Sequence, residues 1–374
     1  MYSCRFISSL AEVSAEQWNA LLATDYPFLR YEFLWAMESS GATTRKSGWE
    51  PSHLVVEDAG ELVGHLPLYR KHHSYGEYVF DWSWADAWQR NGLNYYPKLL
   101  CAIPYTPATG PRLSLRQGIP AQPVCEFLRE QADISVSSAH VLFTNPDEDA
   151  LWGDADFVRR VAPQYHWFNR GYSDFEDFLA AFSSRKRKAL RRERRLVAEQ
   201  QVVLRRVPGR QITTDLWRHF YHCYQMTYAK RSGHGGYLNQ AFFEQIGQTM
   251  PDNLLMVVAE QHGEPIAAAL NFHDSATLYG RYWGCLREVE FLHFEACYYQ
   301  GIEYCIEQGL QRFDPGAQGE HKIQRGFDPV ETRSRHWIVD PRFREAIARF
   351  LDQETPSIHA YLQDARQMLP FKRG

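Results

Sequence analysis

The sequence lacks the features that mark secreted, membrane-spanning or zinc-ribbon proteins. Its seven cysteines include no C-x-x-C pair, so we interpret them as reduced thiols of a cytosolic protein. No apolar run approaches the length that crosses a bilayer. The N-terminal segment has neither the basic start nor the continuous apolar stretch of a signal peptide. We therefore expect a cytoplasmic protein without stable membrane insertion.

The composition is that of an ordinary globular protein. The chain has 374 residues, 44% of them apolar and 23% charged, which is enough for about two domains with large cores. The formal net charge is −4, so the chain as a whole has no bulk attraction to nucleic acid or to an anionic membrane. Any site for a polyanion must therefore be a local patch.

The two halves of the sequence show the same order of predicted elements. Apolar alternation around Ala59-Gly60 predicts a β-hairpin, and alternation around His262-Gly263 predicts another. In the first half, a strand and helix over 76–88, a strand within 95–113, a helix over 120–132 and a strand over 139–144 are predicted to follow. In the second half, the predicted elements are a strand over 277–284, a helix over 291–309 and a strand leading to Asp314. This order indicates an internal duplication, with units 1–165 and 166–374.

A basic segment opens the second predicted unit. Eight of the eleven residues from Arg185 to Arg195 are Lys or Arg, within a predicted helical region over 174–200. Phe175, Phe178, Leu179, Phe182, Leu190 and Val197 fall at helical spacing and are predicted to form its buried side. The charge run is equally consistent with a solvated surface and with a contact to an RNA backbone or a diphosphate.

Several stretches resemble the Fem-type family, which includes the aminoacyltransferases that build peptidoglycan cross-bridges. The basic helix is similar to the arginine-rich helix of these enzymes. A closer resemblance, to the Fem-like GNAT subfamily of peptidoglycan biosynthesis and recognition, covers most of the chain and rests on the following segments: GWEPSHLVV (48–56), KHHSYGEYVFDWSWADA (71–87), YYPKL (95–99), YTPATGPRL (105–113), HFEACYYQGIEYCIEQGLQRFDPGAQGEHKIQRGF (293–327) and TRSRHW (332–337). It implies an α/β fold with mixed central sheets flanked by helices, arranged as two tandem GNAT-like (N-acyltransferase) units. The implied activity is amide-forming acyl or aminoacyl transfer.

The sequence departs from GNAT enzymes that use acetyl-CoA. Their R/Q-x-x-G-x-G/A loop, which holds a pyrophosphate, is absent from YWGCLREVEFLHFE and from DWSWADAWQRNG. The resemblance therefore favours aminoacyl-tRNA as the donor, and an acyl-CoA donor remains the alternative; either is a co-substrate, and no bound cofactor is expected. The acceptor would be a small-molecule or lipid-linked amine. The tRNA or phosphate contacts are predicted to be Arg185, Lys186, Arg187, Lys188, Arg191 and Arg192.

The loop from Asp314 to Arg325, called the polar loop below, concentrates the groups that acyl transfer to an amine requires. Asp314, Glu320 or His321 is predicted to be the general base. Gln318 or backbone N–H groups would stabilise the oxyanion, and Lys322 and Arg325 would hold anionic parts of the substrates. Pro315 and Gly316 are expected to stop the preceding strand. Gly319 is expected to allow close approach to a ligand.

Further substrate contacts are predicted outside the polar loop. Tyr279, Arg281 and Trp283 alternate along a strand and would share one face. Glu295 follows His293 in an H-x-E pair, but the P-C-x-x-C partner of zinc deaminases is absent, so no metal site is expected. In the first unit the predicted binding residues are Lys71, His73, Lys98 and Arg112. A non-catalytic binder of peptidoglycan fragments is the alternative from another functional class, and the transferred group, the acceptor and the oligomeric state stay open.

Overall fold

A computed structural model describes residues 2–233 and 235–372 of the chain. The strands are β1 (Tyr2–Ile7), β2 (Trp49–Pro51), β3 (His53–Asp58), β4 (Glu61–Leu66), β5 (Tyr69–Lys71), β6 (Lys98–Cys101), β7 (Ser114–Leu115), β8 (Ser138–Leu142), β9 (Val158–Phe168), β10 (Val202–Pro208), β11 (Leu254–Gln261), β12 (Glu264–His273), β13 (Thr277–Cys285), β14 (Arg312–Asp314) and β15 (Asp328–Ile338).

The α-helices are α1 (Ala15–Asn19), α2 (Tyr31–Ser39), α3 (Trp82–Arg90), α4 (Gln122–Ser135), α5 (Pro146–Asp154), α6 (Phe175–Ala180), α7 (Ser184–Glu199), α8 (Thr214–Ser232), α9 (Gln240–Thr249), α10 (Leu292–Phe294), α11 (Gln300–Gln308) and α12 (Pro341–Gln367). A π-helical turn, Glu295–Tyr299, joins α10 to α11. Short 3₁₀ helices lie at Leu10–Glu12, Pro27–Leu29, Gly209–Gln211, Pro251–Asn253 and Glu320–Arg325.

The chain forms two compact units. The first comprises the chain up to Pro163 together with Glu331–Tyr361, and the second comprises Gln164–Val330 together with the chain from Leu362. This division by compactness assigns residues 331–361 to the first unit, whereas the sequence suggests the continuous ranges 1–165 and 166–374. The boundaries of the two repeats at 1–165 and 166–374 stay a prediction.

The first unit contains two groups of strands. One has the order β1–β3–β4–β7, and the other has β15–β8–β6–β5–β2, in which β6 and β8 run parallel. The predicted hairpin is confirmed: β3 and β4 pair antiparallel around Ala59 and Gly60, both with positive φ. Ser334 and His336 share a face of β15, with Oγ and Nε2 2.8 Å apart.

The second unit has the strand order β10–β11–β12–β13–β14–β9. The hairpin of β11 and β12 turns at His262 and Gly263, as predicted. Strand β13 then pairs parallel with β14 at only three positions, ending at Tyr279 with Asp314. Beyond that point the two strands no longer pair with each other, so the carboxyl end of β14 opens into the polar loop.

Each unit therefore contains a hairpin, then a strand, a helix and a second strand parallel to the first. These are β3–β4, β6, α4 and β8 in the first unit, and β11–β12, β13, α10 to α11 and β14 in the second. The matching order confirms the predicted duplication.

Two local predictions are wrong. Residues 76–81 form a loop rather than a strand. Buried ion pairs from Lys98 to Glu77 and Asp81 fix this segment, and it has no β-ladder partner. The basic region is two helices, α6 and α7, rather than one. Between them, Ser183 N donates to Pro370 O at 2.9 Å and Lys372 N to Ala181 O at 2.9 Å, and this pairing interrupts the helix. The six apolar residues predicted for its inner side are all buried.

Candidate active site

A β-bulge in β13 places Arg281 against the end of β14. The pairing of β12 with β13 shifts between Leu270 and Asn271, so Arg281 is an extra residue in the ladder. Its guanidinium binds the Asp314 carboxylate, with Nη2–Oδ2 at 2.7 Å and Nη1–Oδ1 at 3.3 Å. Both side chains are almost completely buried.

The same bulge corrects the prediction that Tyr279, Arg281 and Trp283 share one face. Tyr279 lies opposite Phe272, whereas Trp283 lies opposite Ala269. Side chains alternate along β12, so these partners, an odd number of residues apart, point to opposite faces. Tyr279 is buried and donates to Asp274 Oδ2 at 2.7 Å, whereas Trp283 lies on the other side of the sheet.

Asp314 is an anchor for the polar loop rather than a good base. Burial alone would raise the pKa of this carboxyl, but Arg281 and His166 beside it hold the pKa well below its usual range. Asp314 also accepts a hydrogen bond from Gly316 N at 2.9 Å. A carboxylate that is fully ionised and already paired has little tendency to take a proton from an amine.

Lys322 is buried beneath the polar loop rather than projecting from it. Its Nζ donates to Gly316 O at 2.6 Å, and its side chain is nearly inaccessible. Burial lowers the pKa of Lys322 to about 8, although the nearby Asp314 carboxylate opposes this shift. The loop therefore carries a poorly hydrated ammonium close to its backbone.

His321 lies at the surface of the polar loop and forms a hydrogen bond with a tyrosine. Its Nε2 is 2.9 Å from the Tyr298 hydroxyl, which is 3.4 Å from His293 Nε2. Partial burial and the charges of Arg325 and Lys322 lower the pKa of His321, so the imidazole is mainly neutral at pH 7. Gly319 allows this arrangement, because a Cβ there would lie 2.5 Å from the His321 ring. The close approach predicted at Gly319 is thus made by His321.

Arg325 is held by partners that sequence reasoning did not identify. Its Nη2 donates to Glu193 Oε1 at 2.9 Å, and its guanidinium carbon lies 3.4 Å from the centre of the Phe294 ring. The Tyr299 hydroxyl donates to the other oxygen of Glu193. This pairing ties the polar loop to α7 and to the π-helical turn.

Glu295, a predicted substrate contact, is buried in an ion-pair network with Arg194. Arg194 donates from Nε and Nη2 to Glu295 at 3.0 and 2.9 Å, and from Nη1 to Glu303 at 2.7 Å. Its guanidinium also lies over the Phe175 ring. Arg194 therefore attaches α7 to the neighbouring helices, and its position in a run of basic residues gave no sign of this.

The outer side of α7 carries much of its basic charge. Arg185, Lys188, Arg191 and Arg192 are exposed, while Lys186 and Arg187 are half-buried. Lys186 donates to Gln324 of the polar loop, and Arg191 donates to Glu176. The predicted phosphate contacts therefore share one helix with the residues that secure the polar loop.

A pocket of about 500 Å³ lies next to the Tyr298–His321 pair. Trp283 and His293, whose rings are 5.5 Å apart, line it together with Lys230, Arg287, Glu288 and Glu290. His293 also contacts Tyr298 and thereby connects the pocket to His321. Two other residues predicted for the site, Gln318 and Glu320, are exposed on the polar loop.

The binding residues predicted in the first unit are largely internal. Lys71 and Lys98 are fully buried among ion pairs, and His73 is half-buried. Arg112 is also fully buried, and it donates to the carbonyls of Leu142, Pro111 and Ala108 at 2.7–2.9 Å. Because its donors are used by the backbone, we assign Arg112 to the support of its loop rather than to a ligand.

Comparison with solved structures defines the class of fold. FemX has a TM-score of 0.52 at 12% identity, covering 90% of this chain and 98% of its own. The C-terminal domain of a protein assigned as a lysylphosphatidylglycerol synthetase from Agrobacterium fabrum has a TM-score of 0.56 at 11% identity, covering 93% and 97%. A tandem GNAT protein from the clavulanic acid biosynthesis pathway has a TM-score of 0.47 at 10% identity, covering 91% and 99%. The predicted α/β fold, with repeated units of mixed sheets flanked by helices, is confirmed, and it is shared with FemX and with the Agrobacterium fabrum domain.

The family follows from the sequence itself. The profile of the FemAB-like family, described as peptidoglycan biosynthesis/recognition, matches residues 9–373, and the chain belongs to this family. No curated protein matches the chain. Among residues 2–233 and 235–372, no helix combines the length and the apolar character needed to cross a membrane.

Proposed function

We propose that the protein forms an amide by transferring an aminoacyl group to an amine, with the chemistry in its second unit. The observation that carries this proposal is the His321–Tyr298 hydrogen bond in a loop that also holds the buried ammonium of Lys322. A neutral imidazole that solvent can reach is suited to take a proton from an attacking amine. A cation with little hydration is suited to stabilise developing negative charge.

The proposed step uses these groups as follows. His321 removes a proton from the acceptor ammonium, and the freed nitrogen attacks the ester carbonyl of the donor. The resulting oxyanion is stabilised by the Lys322 charge and by N–H groups of the polar loop. When the C–O bond of the ester breaks, the leaving oxygen takes up the proton held by His321, directly or through the Tyr298 hydroxyl. The nitrogen of the new amide releases its remaining extra proton to solvent. The donor ester drives the reaction, so no resident cofactor is needed.

Aminoacyl-tRNA is the donor that the charge distribution favours. The exposed cations of α7 offer contacts for a phosphate backbone, and Lys186 contacts Gln324 of the polar loop. The loop that would hold a CoA pyrophosphate lacks its usual glycines, and it contains Glu288 and Glu290. As the Fem-type resemblance implies, the acceptor would be an amine of a cell-wall precursor or a related metabolite.

The donor is tested with a variant that removes three exposed cations of α7, Arg185→Ala, Lys188→Ala and Arg192→Ala. We expect the affinity for aminoacyl-tRNA to fall, and the slope of log affinity against log salt concentration to decrease in magnitude by about 2 to 3. Filter binding of the full chain over a salt series measures both. The matched control, Arg90→Ala with Arg116→Ala, removes exposed arginines of the first unit and should leave the slope unchanged.

Binding of other ligands by the full chain would favour the alternative functions. Stabilisation by an acyl-CoA thioester, with no tRNA affinity above that of the α7 variant, would instead indicate a CoA-dependent N-acyltransferase. Binding of muropeptide without turnover of any donor would indicate a non-catalytic peptidoglycan-fragment binder.

A further inference from the structure

The loop Ser74–Trp82 of the first unit, called the aromatic loop below, exposes aromatic side chains to solvent and buries polar ones, the opposite of the usual arrangement. Tyr75, Phe80 and Trp82 are 57%, 55% and 42% exposed, whereas Ser74, Glu77 and Asp81 are buried. Single exposed apolar residues are common on protein surfaces. Three exposed aromatic residues on one short loop with buried polar residues indicate a surface that contacts another molecule.

Buried charges hold the aromatic loop in this orientation. Lys98 Nζ donates to Ser74 Oγ at 3.0 Å, to Glu77 Oε2 at 2.8 Å and to Asp81 Oδ2. Lys71 Nζ donates to the Tyr75 carbonyl at 3.2 Å. Turning the aromatic side chains inward would break these pairs, so the loop presents its aromatic side as a fixed feature of the fold.

The exposed side of the aromatic loop continues onto neighbouring surface. The rings of Tyr75 and Trp82 are 4.9 Å apart in an edge-to-face contact. Arg160 donates to the Phe80 carbonyl at 2.8 Å and lies 5.9 Å from the ring of Phe350, which is 42% exposed. Arg160 thus links the backbone of the aromatic loop to the exposed Phe350.

Cations border the same surface. Arg45 and Lys46 are exposed on the turn that ends at Gly48. This turn is attached to the chain two residues before the aromatic loop, because His72 N donates to Gly48 O at 3.2 Å. Next along the chain, the His73 ring lies 5.3 Å from the ring of Tyr75.

We propose that the aromatic loop, with Arg45 and Lys46, binds the surface of a lipid bilayer that carries anionic headgroups. Tyrosine and tryptophan favour the boundary between headgroups and acyl chains, where an aromatic ring leaves water while its polar atom stays hydrated. Nearby lysine and arginine add attraction to anionic lipid. This contact is peripheral, and it is independent of the transfer chemistry proposed for the second unit.

Co-sedimentation with vesicles tests this proposal directly. The full chain should bind vesicles of phosphatidylcholine with phosphatidylglycerol more tightly than vesicles of phosphatidylcholine alone. Tyr75→Ser, Phe80→Ser and Trp82→Ser combined should weaken this binding by about tenfold or more. The matched control is Ile134→Ser, which removes a residue of the same unit that is 77% exposed, and it should bind like the wild type.

A second measurement locates the contact on the loop. Brominated lipid should quench part of the tryptophan fluorescence of the wild type, and Trp82→Phe should remove that part while retaining vesicle binding. Equal quenching in Trp82→Phe, equal binding by the triple serine variant, or no vesicle binding by the wild type would each overturn the proposal. It would also be overturned if the triple variant lost affinity for single-stranded RNA while keeping its affinity for vesicles, because the loop would then be a base-stacking platform.

Discussion

Lys98→Met is expected to lower the free energy of unfolding by about 3 to 5 kcal/mol. Lys98 is fully buried and neutralises both Glu77 and Asp81, which are themselves almost completely buried. Methionine has a similar length but no charge, so two carboxylates would be left without their main partner. Urea unfolding of the full chain at neutral pH measures the change. The control is Lys46→Met, which removes an exposed lysine of the same unit and should change stability by less than about 0.5 kcal/mol.

The pH dependence of this loss has a definite sign. Burial and the Asp81 charge raise the pKa of Glu77 to about 7 in the folded protein, even though Lys98 opposes the shift. Lys98 itself has its pKa raised by Asp81 and Glu77 against the effect of burial, so its contribution is fully present throughout the neutral range. Without Lys98, protonating the carboxyls relieves the unpaired charge. The loss should therefore be larger at about pH 8 than at about pH 5. A loss below about 1 kcal/mol at both values would contradict a structural role for Lys98.

His321→Gln is expected to lower kcat/KM about 100- to 10,000-fold, the usual contribution of a general base. Glutamine can keep a hydrogen bond to Tyr298 but cannot accept a proton at neutral pH. In the wild type, the rate should fall as the pH drops through the pKa of His321, which lies below its ordinary value. This acidic limb should be absent from His321→Gln. Steady-state transfer assays over a pH series with the proposed aminoacyl-tRNA donor measure both effects.

Two control variants separate a catalytic role from a structural one. Glu320→Gln changes the exposed neighbour that the sequence also suggests as a base, and we expect it to keep nearly full activity. Tyr298→Phe removes the hydroxyl that contacts His321, and we expect a smaller loss that leaves the acidic limb in place. If Glu320→Gln removed the activity and His321→Gln did not, the base would be Glu320. Unchanged activity in both His321→Gln and Glu320→Gln would show that the general base lies outside the polar loop.

Sequence patterns predicted the features that depend on near neighbours. The hairpins at Ala59-Gly60 and His262-Gly263 follow from alternation and a turn dipeptide. The inner side of α6 and α7 follows from helical spacing. The polar loop was recognised because its polar residues and glycines are contiguous. Each of these signals extends over at most a few tens of residues, so reading along the chain is sufficient.

The partners of the polar loop could not be predicted in the same way. Arg325 pairs with Glu193, which lies 132 residues away, and Glu295 pairs with Arg194, 101 residues away. In sequence both partners are ordinary members of a charge run. The bulge at Arg281 arises from pairing with β12, and a period of two along β13 gives no sign of it. The sequence likewise predicts Lys322 and Arg325 as contacts for anionic substrate groups and gives no sign that the structure buries both.

From the order of its amino acids alone, the chain is a duplicated α/β protein of Fem-like type with a polar loop after the last strand of its second repeat. Folding decided which charges of that loop became buried, which histidine stayed accessible and which side of the aromatic loop faces outward. The physical reason is that the state of a charged or aromatic side chain depends on its partners and on its loss of water. Those partners come from segments that only tertiary packing brings together.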